Sequence, residues 1–226
     1  MNSWLRCIIW LALYGAIYEI VSDNTVKNIA LVIYMFALLY YLYKREMLKG
    51  YRIAMPRISK MSRESVASLA VLGSVMLMNL LFSVSRGNCN FPLRICLGML
   101  YTVFVEEFLF RGYLLTTFIY DCGNPGKSII KSGVLFGLLH IVNLFHGGEL
   151  VYTVFQILCA VAVGVLLGIL ALTFDSILPG VVLHWLINVS AMWVKALNVR
   201  EYSIYLVILG IGVVLCLKKY DGGDSR

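Results

Sequence analysis

Long apolar runs separated by short polar clusters dominate this chain. The runs fall at roughly 4–21, 28–43, 65–85, 95–120, 129–145, 151–173, 177–194 and 203–217. Most approach the ~20 apolar residues that a helix needs to cross a bilayer core. Between them stand "SDNTVK", the long "KREMLKGYRIAMPRISKMSRE", "SRGNCNFP", "DCGNPGK", "HGGE", "FDS" and "KALNVRE". The pattern predicts an all-α, polytopic membrane helix bundle of about eight transmembrane helices, a single transmembrane domain over 1–226. No repeat and no low-complexity tract interrupts it. The first run, "MNSWLRCIIWLALYGAIYEIV", is long, has Arg6 as its sole early charge and lacks an A-x-A-like site. It reads as a retained first span rather than a signal peptide.

Composition agrees. Of the 226 residues, 61% are hydrophobic and 14% charged, against roughly 25% charged in soluble domains. The six cysteines (7, 89, 96, 122, 159 and 216) are scattered without a C-x-x-C pair, so they read as small apolar helix residues. The formal charge of +7 does not indicate nucleic acid. Seven basic residues crowd into 44–64 against Glu46 and Glu64, the pattern of a topology determinant or an anionic-lipid contact. With both termini cytoplasmic, thirteen Lys/Arg fall inside and five outside, Arg111 being within a helix. That bias selects this orientation. Glycines four apart, Gly133/Gly137 and Gly164/Gly168, predict close helix packing within the bundle.

The fourth run contains "VEEFLFRG", with Glu106, Glu107 and Arg111 in the middle of an apolar stretch. A charge near the bilayer centre costs ~2.5–3.5 kcal/mol on insertion scales, so such groups turn inward and pair. Glu107 and Arg111 stand at i,i+4 and share a helix face. Glu106 lies ~100° away around the helix and needs another partner. "FGLLHIVN" places His140 in the fifth run, with Phe136 a turn before and Asn143 nearly a turn after. "HWLIN" places His184 and Asn188 on one face of the seventh. His146, beside Gly147 and Gly148, reads as a residue of the membrane interface. A carboxylate, two histidines and an amide on three helices suit water activation. Glu takes a proton from water. His orients that water or binds a metal. His and Asn donate to an oxyanion.

Taken in order, Glu106-Glu107-Phe-Leu-Phe-Arg111, Phe136-Gly-Leu-Leu-His140 and His184-Trp-Leu-Ile-Asn188 resemble the signature of the CAAX-processing and bacteriocin-processing (CPBP, or Abi) membrane proteases. The resemblance covers about 95–194, the protease-like core. It implies an intramembrane endopeptidase acting on CAAX-type tails, bacteriocin or signalling-peptide precursors, or membrane proteins, in a bacterial cell membrane. It implies Glu106 as general base, His140 holding the attacking water, and His184 and Asn188 supporting the oxyanion or the site geometry. Glu107, Arg111, Phe136 and Asn143 are supporting residues. Both a zinc site on Glu106, His140 and His184 and a metal-free glutamate mechanism fit the resemblance, and HExxH is absent. Two other classes stay open: a non-catalytic immunity or scaffold protein of the same family, and a proton-coupled transporter.

Overall fold

The computed structural model describes residues 3–21, 23–44, 52, 55–87, 93–194 and 197–221. Among them every regular element is helical. They are α1 (Ser3–Ile20), α2 (Asn24–Lys44), a short 3-10 turn (Ile58–Lys60), α3 (Arg63–Ser85), α4 (Leu93–Glu107), a π-helical segment (Phe108–Leu114) and α5 (Leu115–Cys122). Then come α6 (Pro125–Leu138), a 3-10 segment (Leu139–Leu144), α7 (Leu150–Phe174), α8 (Leu178–Met192) and α9 (Val199–Asp221). Since α4, the π segment and α5 run on as one rod, the described residues make eight helical rods. Five helices are long and apolar enough to cross a membrane, and Leu5–Ile17 and Leu178–Met192 are shorter apolar stretches. The chain is a multi-pass membrane protein.

Local chemistry sets the boundaries. Ser62 caps α3 reciprocally with Ser65: the Ser65 backbone N–H donates to Ser62 Oγ and the Ser62 N–H to Ser65 Oγ. In "DCGNPGK", Gly123 closes α5 in the left-handed region at φ 62°. Asn124 Oδ1 then accepts from the Lys127 N–H, and Pro125 opens α6.

The surface is apolar and the interior carries ions. Ile33, Phe36, Leu81, Val84, Val207 and Val214 point outward, as a lipid-facing surface requires, while Glu107 and Arg111 are completely buried. The expected small-residue packing joins α6 to α7. A Cβ on Gly133 would stand 2.7 Å from Val165 Cγ2, and one on Gly164 would stand 3.0 Å from Gly133 Cα. A Cβ on Gly137 would collide with Val161.

The basic 44–64 loop is partly docked on the protein. Arg57 N–H donates to Phe174 O and Ile177 N–H to Arg52 O, both at 2.9 Å. Asp175, left-handed at φ 52°, pairs with Arg57 Nη1 at 3.3 Å and Arg52 Nε at 3.6 Å. Arg52 Nη1 also donates to Thr116 Oγ1. Two of the seven cations are thus held by a carboxylate of the chain itself. Arg45 and Lys49 of the same loop, and Cys89, lie outside the described residues. The same end of the bundle holds the Lys219–Glu64 contact at 3.4 Å. At the other end Arg86 pairs with Glu201 at 2.6 Å.

Candidate active site

The Glu106-Glu107 pair closes α4 where the helix passes into the π segment. Phe110 O, within that segment, accepts from Leu115 N–H and from Ser132 Oγ of α6. This side-chain donor ties α6 to the widened turn. Glu107 and Arg111 meet across it: Arg111 Nη1 donates to Glu107 Oε1 at 2.9 Å. Arg111 Nη2 reaches Gly164 O of α7 at 3.4 Å. The guanidinium carbon stands 4.3 Å from the centre of the Phe136 ring, a desolvated cation–π contact. Phe136 also meets His184 edge-on at 5.3 Å and His140 at 5.7 Å between centroids. One aromatic ring thereby spaces the arginine and both histidines.

His184 joins the same ion pair. Its Nδ1 lies 2.8 Å from Glu107 Oε1, so Nδ1–H donates and the carboxylate accepts. This bond orients the imidazole as a carboxylate partner does for a working histidine. Nε2 then faces the second glutamate, 3.7 Å from Glu106 Oε2. That is too long for a direct hydrogen bond and suits one water touching both. The other oxygen, Glu106 Oε1, accepts from Tyr14 Oη–H at 2.6 Å. Glu107 is fixed from inside the bundle, whereas Glu106 is anchored on one oxygen and open on the other.

Two cavities meet at Glu106. The larger, about 690 Å³, lies between the first turn of α2 and one face of α4, and ends on Glu106 and Asn188. The smaller, about 220 Å³, is walled by α1, the 3-10 segment, α7 and α8. It too includes Glu106 and Asn188, with Tyr14, His140, Asn143 and His184. So Glu106, His140, His184 and Asn188 all border one space. Asn143 acts within its wall: its Nδ2 donates to Gln156 Oε1 at 2.7 Å. His146 is exposed and turns back on Val142 O.

Three participants were not foreseen from sequence. Tyr14 comes from the first helix, 92 residues from Glu106, and no motif marks it. Gln156 sits on α7, and Gly180 backs Glu107, where a Cβ would stand 2.9 Å from Oε2. A signal existed only for Gln156, an amide in a run, 151–173, whose other polar groups are hydroxyls and the Cys159 thiol. Among the described residues no three His, Cys, Asp or Glu side chains are grouped to hold a metal ion.

Comparison with known proteins gives one family. The family model described as type II CAAX prenyl endopeptidase Rce1-like matches residues 88–190. The matched segment contains all three motifs, from Glu106 to Asn188. No curated protein and no solved structure matches the chain. The family supports a peptidase acting on a membrane-associated substrate. Residues 88–190 of this all-helical multi-pass membrane protein thus match the type II CAAX prenyl endopeptidase Rce1-like domain, and that is the family this segment is similar to.

Proposed function

We propose that this protein is an intramembrane endopeptidase that hydrolyses membrane-associated peptide precursors with a water activated by Glu106. The observation that carries the reading is the gap between Glu106 Oε2 and His184 Nε2, 3.7 Å wide, at the junction of two cavities. A water seated there touches base and imidazole together. Glu106 takes a proton from it, and its oxygen bonds to the scissile carbonyl carbon. Asn188 Nδ2, on the cavity wall, donates to the developing oxyanion. His140, on the same wall, holds the water from its other side. The C–N bond then breaks, and Glu106 returns its proton to the leaving amine. Glu107 and Arg111 position His184 and do not touch substrate.

The family match favours CAAX-type prenylated peptides as the first substrates to test; bacteriocin or signalling-peptide precursors are the second class. The 13-to-5 distribution of basic residues supports an orientation in a bacterial membrane with both termini cytoplasmic. Glu106→Gln retains size and hydrogen bonding but cannot take a proton from water. It should lower cleavage by roughly 100- to 10,000-fold while the protein stays folded and still captures peptide. Purified wild type and variant are compared by mass spectrometry of the products. Equal cleavage by the two would remove Glu106 as the base. A wild type that captures peptide but never cleaves it would make the chain a non-catalytic partner.

A further inference from the structure

The two cavities differ in lining residues and size, although they meet on Glu106 and Asn188. In the larger, Ile95, Gly98, Met99, Thr102 and Val103 form a single stripe of α4 that ends on Glu106, at the i, i+3, i+4, i+7, i+8 spacing of one helix face. From Ile95 to Glu106 the helix rises about 16 Å, the length of about five residues of extended peptide. Its volume, about 690 Å³, lies in the range of ligand sites. The smaller is about 220 Å³, with Tyr14, His140, Asn143, Gln156 and His184 on its walls beside Leu139 and Val142. That volume holds roughly seven waters at about 30 Å³ each. His140 stands on its wall with Glu106.

We infer that the two cavities divide the reaction between them. The larger receives the peptide, extended along α4 with small side chains over Gly98, and the smaller supplies the attacking water. The inference rests on the peptidase reading and adds to it which cavity takes which reactant and what the peptide must look like. Glu106 stands where the two meet. It takes the proton from a water arriving on the His140 side, and the oxygen attacks a carbonyl lying on the α4 side. Anchoring by Tyr14 holds the carboxylate at that boundary.

Each cavity has a glycine in its wall, Gly98 in the larger and Gly15 in the smaller. A Cβ at either position meets nothing within 4 Å. Both lie inside helices, where replacing glycine favours the helix. Gly98→Leu and Gly15→Leu therefore each add a side chain at the wall of one cavity, and an unchanged melting temperature checks that the packing is kept. With a farnesylated CAAX-type peptide, Gly98→Leu should raise KM roughly tenfold with little change in kcat. A peptide with glycine at the facing position should restore it. Gly15→Leu should lower kcat roughly tenfold with KM unchanged, whatever the peptide. The reverse pattern, or no effect of Gly15→Leu on kcat, would overturn the division.

A second measurement needs no turnover. A photo-crosslinking phenylalanine analogue is placed at position 98 or at position 15 in the Glu106→Gln background and irradiated with the same peptide. Capture from 98 and not from 15 is expected. Capture from 15, or from neither position, overturns the assignment. Capture from 98 by a protein whose wild type cleaves nothing would sink the peptidase reading and leave the peptide cavity standing.

Discussion

Arg111 shows how a single residue is committed to the site from within. Its guanidinium donates to Glu107, contacts Gly164 O and stacks over Phe136. With Arg111→Ala, Glu107 keeps only His184 as a partner in a place without solvent. Removing one partner of a buried pair costs ~3–5 kcal/mol in soluble proteins. The expected outcome is less folded protein in membranes and a lower melting temperature in detergent, with activity lost as well. Normal yield and melting with only activity lost would show that the pair is not structural. Tyr14 acts on the neighbouring glutamate in the opposite way. Tyr14→Phe keeps the ring packed at 6.0 Å from Tyr34 and removes the one donor to Glu106 Oε1. Hydrogen bonds to charged groups are worth ~1.5–3 kcal/mol. A fall in kcat of about tenfold or more is expected, with unchanged melting, read by steady-state cleavage.

At the scale of elements, the site depends on how closely α6 approaches α7. That approach brings Gly164 O to Arg111 and Phe136 to both histidines. Gly133→Leu would push a side chain against Val165, whose backbone nitrogen is only 3.0 Å from the position of a Cβ. Backbone cannot rotate away as a side chain can. Overpacking of this kind costs ~1–3 kcal/mol and should lower both melting temperature and kcat, whereas leucine at Gly98 should leave melting intact. α8 is held from two sides. Trp185 Nε1 donates to Cys96 O of α4. Asn79 of α3 donates to Ser190 Oγ and accepts from Tyr205 of α9. These ties set the height of His184 and Asn188 against Glu106.

The whole molecule has two distinct ends. One gathers the 52–62 loop, the α7–α8 turn, Glu64 and Lys219. The other has the first turn of α2 and the start of α4, which border the larger cavity. Arg57 and Lys219 therefore lie at one end of the bundle, and the expectation from the basic bias is that this end faces the cytoplasm. Reporter fusions at both points should give cytoplasmic signals. Signals on opposite sides would contradict the eight-rod arrangement, and external signals at both would reverse the orientation. Since Asp175 holds Arg52 and Arg57, these two cations belong to the protein's own packing at that end as well as to a candidate lipid surface.

Much of this was legible in the chain because it is local. The eight apolar runs became eight helical rods, with ends marked by Ser62, Gly123, Asn124 and Pro125. A helix repeats its pattern every few residues, so hydropathy and capping register it directly. The Glu107–Arg111 pair was legible for the same reason, as both groups lie one turn apart on one backbone. Three short polar motifs in apolar helices also marked which residues would border a common space. Sequence spacing could not decide which partner each polar atom meets across helices. It left His184 between oxyanion support and site geometry; the fold puts its Nδ1 on Glu107 and turns its Nε2 toward Glu106. Tyr14 was invisible as a partner of Glu106, because a tyrosine in a first span looks like any lipid-facing aromatic. The basic loop read as a topology determinant or an anionic-lipid contact, and its spacing did not show that Arg52 and Arg57 meet Asp175. These are pairings between residues far apart in the chain, set by helix rotation and height, which no local pattern encodes. The two cavities belong to the same class: a cavity is where helices fail to touch, and only their tertiary arrangement determines that.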